Sequence, residues 1–184
     1  MQLFFPEALW RRLPAAAPGR TLRISVTGHR RNRLSAEDSQ QAEELLSETL
    51  ETIGRRWPGE IMLLSGMADG SDLAAVRAKP DGWALMAVLA EPPHAFRHTV
   101  IDEERAEFDG AVSSSDSVIL SEAAPDYAAV ADYLVSHSDL MVAIWDGAPG
   151  KPGGTGSVVK RALASGLPVL HLPYPFSAGT LRLL

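Results

Sequence analysis

Short apolar runs alternate with amphipathic helical stretches along this chain. LRISVTG (22–28), EIMLLSG (60–66), WALMAVLA (83–90), SVILSE (117–122), LMVAIWDG (140–147) and PVLHLP (168–173) read as strands. The stretch 35–57, SAEDSQQAEELLSETLETIGRRW, places Ala42, Leu45, Leu46, Thr49, Leu50 and Ile53 on one helical face, and Ser35 with Asp38 makes a capping-box start. Further helices are predicted over 70–78 (GSDLAAVRA), 98–112 (HTVIDEERAEFDGAV), 127–138 (YAAVADYLVSHS) and 155–166 (TGSVVKRALASG), the last stopped by Gly166. Strands alternating with helices predict an α/β fold: a doubly wound, mainly parallel sheet of five to six strands with helices on both faces.

Composition narrows what such a fold does here. With 184 residues, 46% of them hydrophobic, the chain supports one well-buried core, and we read 21–184 as a single domain behind an N-terminal lead-in, 1–20, with a short amphipathic turn. A formal charge of -6 argues against general affinity for polyanions, so nucleic acid is an unlikely partner on this reading. The absence of cysteine removes disulfides and thiolate metal sites, and fits a reducing compartment. No apolar run reaches membrane-spanning length and the N-terminus lacks the order of a signal peptide, so a cytoplasmic protein is expected.

Three polar, glycine-containing loops follow the carboxyl ends of strands, where an open parallel sheet binds its ligands: TGHRR (27–31), SGMADGSD (65–72) and DGAPGKPGGTGS (146–157). In the last, Gly153, Gly154 and Gly156 allow close backbone approach, and the N–H groups of Thr155, Gly156 and Ser157 at a helix start favour an anion such as phosphate. Asp146 and Gly147 open that loop. Thr27, Gly28 and His29 lead to Arg30, a bidentate partner for phosphate, while Arg31 and Arg33 read as solvated surface. In the second loop Gly66 and Gly70 shape the turn, and Ser65, Gly66, Asp69, Gly70, Ser71 and Asp72 are candidate ligand contacts; Asp69 also reads as a helix cap, and Asp72 as a cap or a contact to ribose hydroxyls. G-x-G-x-x-G fails at Val159 and GKP does not end a P-loop; G-x-S-x-G and H-E-x-x-H are absent, and His94, His98, His137 and His171 lack metal-ligand spacing. No metal and no resident cofactor are expected.

Together, VTGHR, SGMADGSD and SDLMVAIWDG…PGGTGS…GLPVLHL resemble the SLOG superfamily, the Rossmann-like group that includes DNA-processing protein A and the Lonely Guy phosphoribohydrolases. The resemblance spans roughly residues 22 to 173 and implies a nucleotide or nucleotide-derived ligand on those three loops, often in a homodimer. Lonely Guy enzymes carry P-G-G-x-G-T-x-x-E. Here Pro152, Gly153, Gly154 and Gly156 match, Ser157 stands for the Thr, and Lys160 stands for the Glu. The related deoxyribosyltransferases show G-T-x-x-E, where Gly154 and Thr155 match and Val158 replaces the Glu. The expected function is therefore nucleotide binding or sensing without the Lonely Guy carboxylate. The rival is an N-glycosidic hydrolase or transferase that uses Asp69, Asp72, Glu91 or Asp146.

Overall fold

A computed structural model describes the chain apart from residues 1, 2, 4, 18 and 177–180. Among the described residues seven α-helices and seven strands follow in the order α1 (Glu7–Arg12), β1 (Leu22–Gly28), α2 (Ala36–Arg56), β2 (Ile61–Ser65), α3 (Ser71–Arg77), β3 (Ala84–Leu89), α4 (Pro93–Phe96), α5 (Arg105–Ser113), β4 (Asp116–Ile119), α6 (Tyr127–Ser136), β5 (Leu140–Trp145), α7 (Thr155–Ala164), β6 (Val169–Pro173) and β7 (Arg182–Leu183). They build one sheet of order β4-β3-β2-β1-β5-β6-β7, parallel except for β7, which runs antiparallel to β6. The sheet thus has seven strands where five to six were expected; the extra one is a two-residue edge pairing, too short to leave an alternation in the sequence.

The sheet grows outward from β1 in two directions. From β1 the chain steps to β2, β3 and β4 on one side, then returns to lay β5 on the other side of β1. That reversal opens a crevice at the carboxyl ends of β1 and β5. Alternate residues of these strands face opposite layers. Leu22, Ile24 and Val26 with Leu140, Val142 and Ile144 join the α2 face in one core cluster, whereas Met141 and Ala143 pack with Val158, Val159 and Ala162 of α7.

Helix α2 begins where the sequence indicates. The Ser35 hydroxyl accepts the Asp38 N–H at 3.0 Å, the Asp38 carboxylate accepts the Ser35 N–H, and the buried face comprises the six residues picked out by periodicity. The amphipathic turn of the lead-in is α1, whose Leu9 is fully buried in the α2-side core. The helix expected over 98–112 starts only at Arg105. Two single-turn 3₁₀ segments, Arg97–Thr99 and Asp102–Glu104, precede it, separated by extended backbone at Val100 and Ile101. The Arg105 guanidinium donates to the Arg97 and Val100 carbonyls, which a continuous helix would have used itself. Among the described residues no helix is long and apolar enough to cross a membrane, and no three His, Asp or Glu side chains group as a metal site.

Candidate functional site

The three loops meet, and backbone atoms of the first hold the other two. The carbonyl of Gly28, at the end of β1, accepts the Thr155 hydroxyl at 2.8 Å, which docks the start of α7. The next carbonyl, His29, accepts both the N–H of Ser71 at 3.1 Å and its hydroxyl at 3.0 Å, which docks the start of α3. Gly70 makes this second junction possible. Its φ is +87°, and a Cβ there would lie 2.6 Å from the Arg31 nitrogen and 2.7 Å from the His29 carbonyl. Glu104 accepts the Gly70 N–H at 3.1 Å, so the segment before α5 secures the turn from outside.

Between the loops lies a cleft of about 630 Å³, within the range of small-molecule sites. Of the residues expected at a ligand, Thr27, Gly28, His29, Arg30, Gly66, Asp72, Asp146, Gly153, Gly154, Thr155 and Gly156 line it. Ser65, Asp69, Gly70, Ser71, Gly147 and Ser157 lie outside the lining. Ser65 instead accepts the Met67 N–H within its turn, and the Ser157 N–H is bonded to the Gly154 carbonyl. Glu91 is not in the cleft either. Asp69 does not cap α3, whose N-cap is Gly70, a residue with no side chain to cap with; it pairs with Arg30 at 3.3 Å.

Arg33 is exposed, as read, but also lines the cleft and pairs with Asp146 at 2.9 Å, and Lys151 lies on the same rim. Phe96 and Tyr127, together with Val130 and Leu134 of α6, supply an apolar wall, and the Arg30 guanidinium sits 5.7 Å from the Tyr127 ring centre. None of these carried a motif. Tyr127, as the first residue of a helix that packs beside α7, was the one positional clue.

Helix α7 has no side-chain cap, and among the described residues the N–H groups of Thr155 and Gly156 have no acceptor. Beside them His29 is only 4% exposed, and its Nε2 atom has no hydrogen-bond partner, lying 3.4 Å from an Asp146 oxygen outside bonding geometry. Burial lowers the His29 pKa against the pull of Asp146, so the ring is neutral at neutral pH. Burial alone would raise Asp146, but the Ala148 N–H, His29 and Arg33 outweigh it and hold this carboxyl below its ordinary value. Asp72 goes the other way: burial pushes it up to about 7 despite the Ala68 N–H and Arg30. The site therefore sets three cations against one firmly ionised carboxylate.

The glycines of the last loop let the chain pack on itself. The Trp145 indole donates to the Ala148 carbonyl at 2.8 Å, seating residues 148–150 on the first turn of α7. A Cβ on Gly156 would stand 2.5 Å from the Gly150 nitrogen and closer still to the Ala148 carbonyl oxygen.

Solved structures with this arrangement of elements include the Moco carrier protein of Chlamydomonas reinhardtii, with 20% identity, a TM-score of 0.50, and coverage of 83% of this chain and 76% of that one. The fold is of the SLOG type. TM1055, a structural-genomics target, matches it at 17% identity and a TM-score of 0.52, over 85% of this chain and 76% of its own. DNA processing protein A from Helicobacter pylori matches at 17% identity and 0.55, over 83% of this chain and 65% of its own. No family model and no curated protein matches the sequence. At these identities the likeness establishes the SLOG fold and leaves the ligand to the site itself.

Proposed function

We propose that this SLOG domain binds a nucleotide or nucleotide-derived ligand, with a phosphate at the start of α7 and the rest of the molecule along the cleft. The observation that carries the reading is the pairing of unfilled Thr155 and Gly156 N–H groups with a buried, unpartnered His29, under the cationic rim of Arg30, Arg33 and Lys151. One structural neighbour is by name a carrier of the molybdenum cofactor, a small molecule, which supports a ligand of that size class. Binding needs no general acid or base. Lys160, where Lonely Guy enzymes have Glu, is exposed and lies outside the cleft.

The test is calorimetry of nucleoside 5′-monophosphates against the matching nucleosides. Wild type binds the phosphorylated form at least about tenfold more tightly, and Arg30→Ala weakens that form by about ten- to a hundredfold while hardly changing the nucleoside. Equal affinity for both forms refutes the phosphate assignment.

The hydrolase or transferase reading narrows to Asp146. Of its four candidate carboxylates only Asp72 and Asp146 reach the cleft, and only Asp146 is held ionised, as a group stabilising positive charge at an anomeric carbon must be. Release of free base at around 1 s⁻¹ or faster, followed by chromatography, favours it over binding alone. DNA processing protein A binds single-stranded DNA, and a gel shift tests that role here against the overall charge of -6. We also propose a homodimer, to be read by light scattering.

A further inference from the structure

In the lining of the cleft a carboxyl group meets an apolar wall. Asp72, in the first turn of α3, presents its Oδ2 to the Ala68 N–H across a long 3.4 Å, and among the described residues its Oδ1 has no hydrogen-bond partner. Gly66 leaves this group uncovered: a Cβ there would lie 2.9 Å from Oδ2 and 3.5 Å from Val130 of α6. The wall continues through Phe96, Tyr127 and Leu134. An apolar wall with one carboxyl beside it suits a flat ring with polar atoms on its edge.

Resting on the nucleotide reading above, we propose that Asp72 recognises the ligand's heterocycle as a neutral carboxylic acid, donating its proton to a ring nitrogen or carbonyl and accepting from the N–H beside it. The ligand class is a heterocycle whose edge sets an acceptor next to a donor, as the amidine edge of adenine and the lactam edge of hypoxanthine both do. An ionised carboxylate only accepts, and loses half of this contact. The charged groups acting on Asp72 are Arg30, from the loop after β1, and Asp69, from the turn before α3; α6 meets the same point with Val130. Burial outweighs Arg30 and pushes the group up to about 7, so the acid form is well populated at neutral pH.

Calorimetric titrations of ribose 5-phosphate, AMP and IMP at about pH 6 and about pH 8.5 test this on wild type and Asp72→Asn, whose amide keeps a donor beside an acceptor at either pH. The advantage of AMP or IMP over ribose 5-phosphate cancels the titration of the phosphate they share. In wild type that advantage falls at the higher pH by up to about thirtyfold, the ratio of protonated fractions for a group titrating near 7 and the limit reached if the ionised form gives no advantage. In Asp72→Asn it stays within about threefold. Which of AMP and IMP holds the advantage identifies the edge. An unchanged advantage in wild type overturns the proposal without recourse to the variant, and so does a fall that persists in Asp72→Asn; ribose 5-phosphate still binding then leaves the phosphate reading standing. If ribose 5-phosphate fails to bind while adenosine or inosine binds with the pH-dependent fall, the phosphate reading is wrong and the role of Asp72 holds. Failure of every probe overturns both.

Discussion

Replacing Gly156 by alanine tests whether residues 148–150 rest on α7 in solution. The new methyl would meet the Ala148 carbonyl oxygen, the Gly150 nitrogen at 2.5 Å and the Pro149 carbonyl carbon at 3.1 Å, all backbone atoms that cannot rotate aside. Relieving the overlap means lifting the loop. Overpacking of this kind costs about 1–3 kcal/mol, and loss of the bond from Trp145 to Ala148 adds about 0.5–1.5 kcal/mol. Alanine's better helix propensity returns at most ~1 kcal/mol. The net is a destabilisation of about 0.5–3.5 kcal/mol, a melting temperature lower by very roughly 1–14 °C for a chain of this size. Urea unfolding followed by tryptophan fluorescence measures it, with Gly110→Ala as the control. Gly110 lies inside α5 and a Cβ there has nothing within 4 Å, so that variant gains about 0.5–1 kcal/mol. A Gly156→Ala protein as stable as wild type, within about 0.5 kcal/mol, refutes the seated loop and the packing argument built on it.

Ser35→Ala removes half of the capping box on α2 and lowers stability by about 1 kcal/mol in the same urea assay, without altering ligand affinity. The stability of the free protein also depends on pH through Asp72. The folded state keeps its proton up to about 7 while the unfolded chain releases it near 3.8, so stability falls as pH rises through that interval, by at most about 4 kcal/mol. Asp72→Asn abolishes this component, and the urea midpoints of wild type and variant, measured at about pH 4 and about pH 8, give it by difference. Parallel midpoints at both values mean that the carboxyl ionises freely.

What was legible in the sequence was what depends on neighbours a few positions away or on the rules of parallel sheets. The buried face of α2 follows from spacing alone, and the meeting of loops 27–31, 65–72 and 146–157 follows from strand direction. What was not legible depended on remote partners. Arg33 reaches the cleft because a 3₁₀ turn swings it toward Asp146, 113 positions away. Asp69 had the right spacing for a cap, but Arg30 competes for it, and Glu104 occupies the Gly70 N–H from a third segment. Phe96 and Tyr127 become a wall only through the way α4 and α6 cross the sheet. Short local pieces misled too: β7 is two residues long, and the helix over 98–112 lost its first half to an arginine side chain.

The junction at residues 28 and 29 is made by main-chain carbonyls, which every amino acid possesses. Those two carbonyl junctions use neither the His29 nor the Arg30 side chain, both of which line the cleft, although Arg30 also pairs with Asp69 in the turn before α3. Architecture and selectivity are thereby assigned to different atoms of the same short segment. A chain of this kind can exchange the groups it offers a ligand at these positions while its scaffold keeps the same registration, which makes the segment after β1 the natural place to retune what the domain recognises.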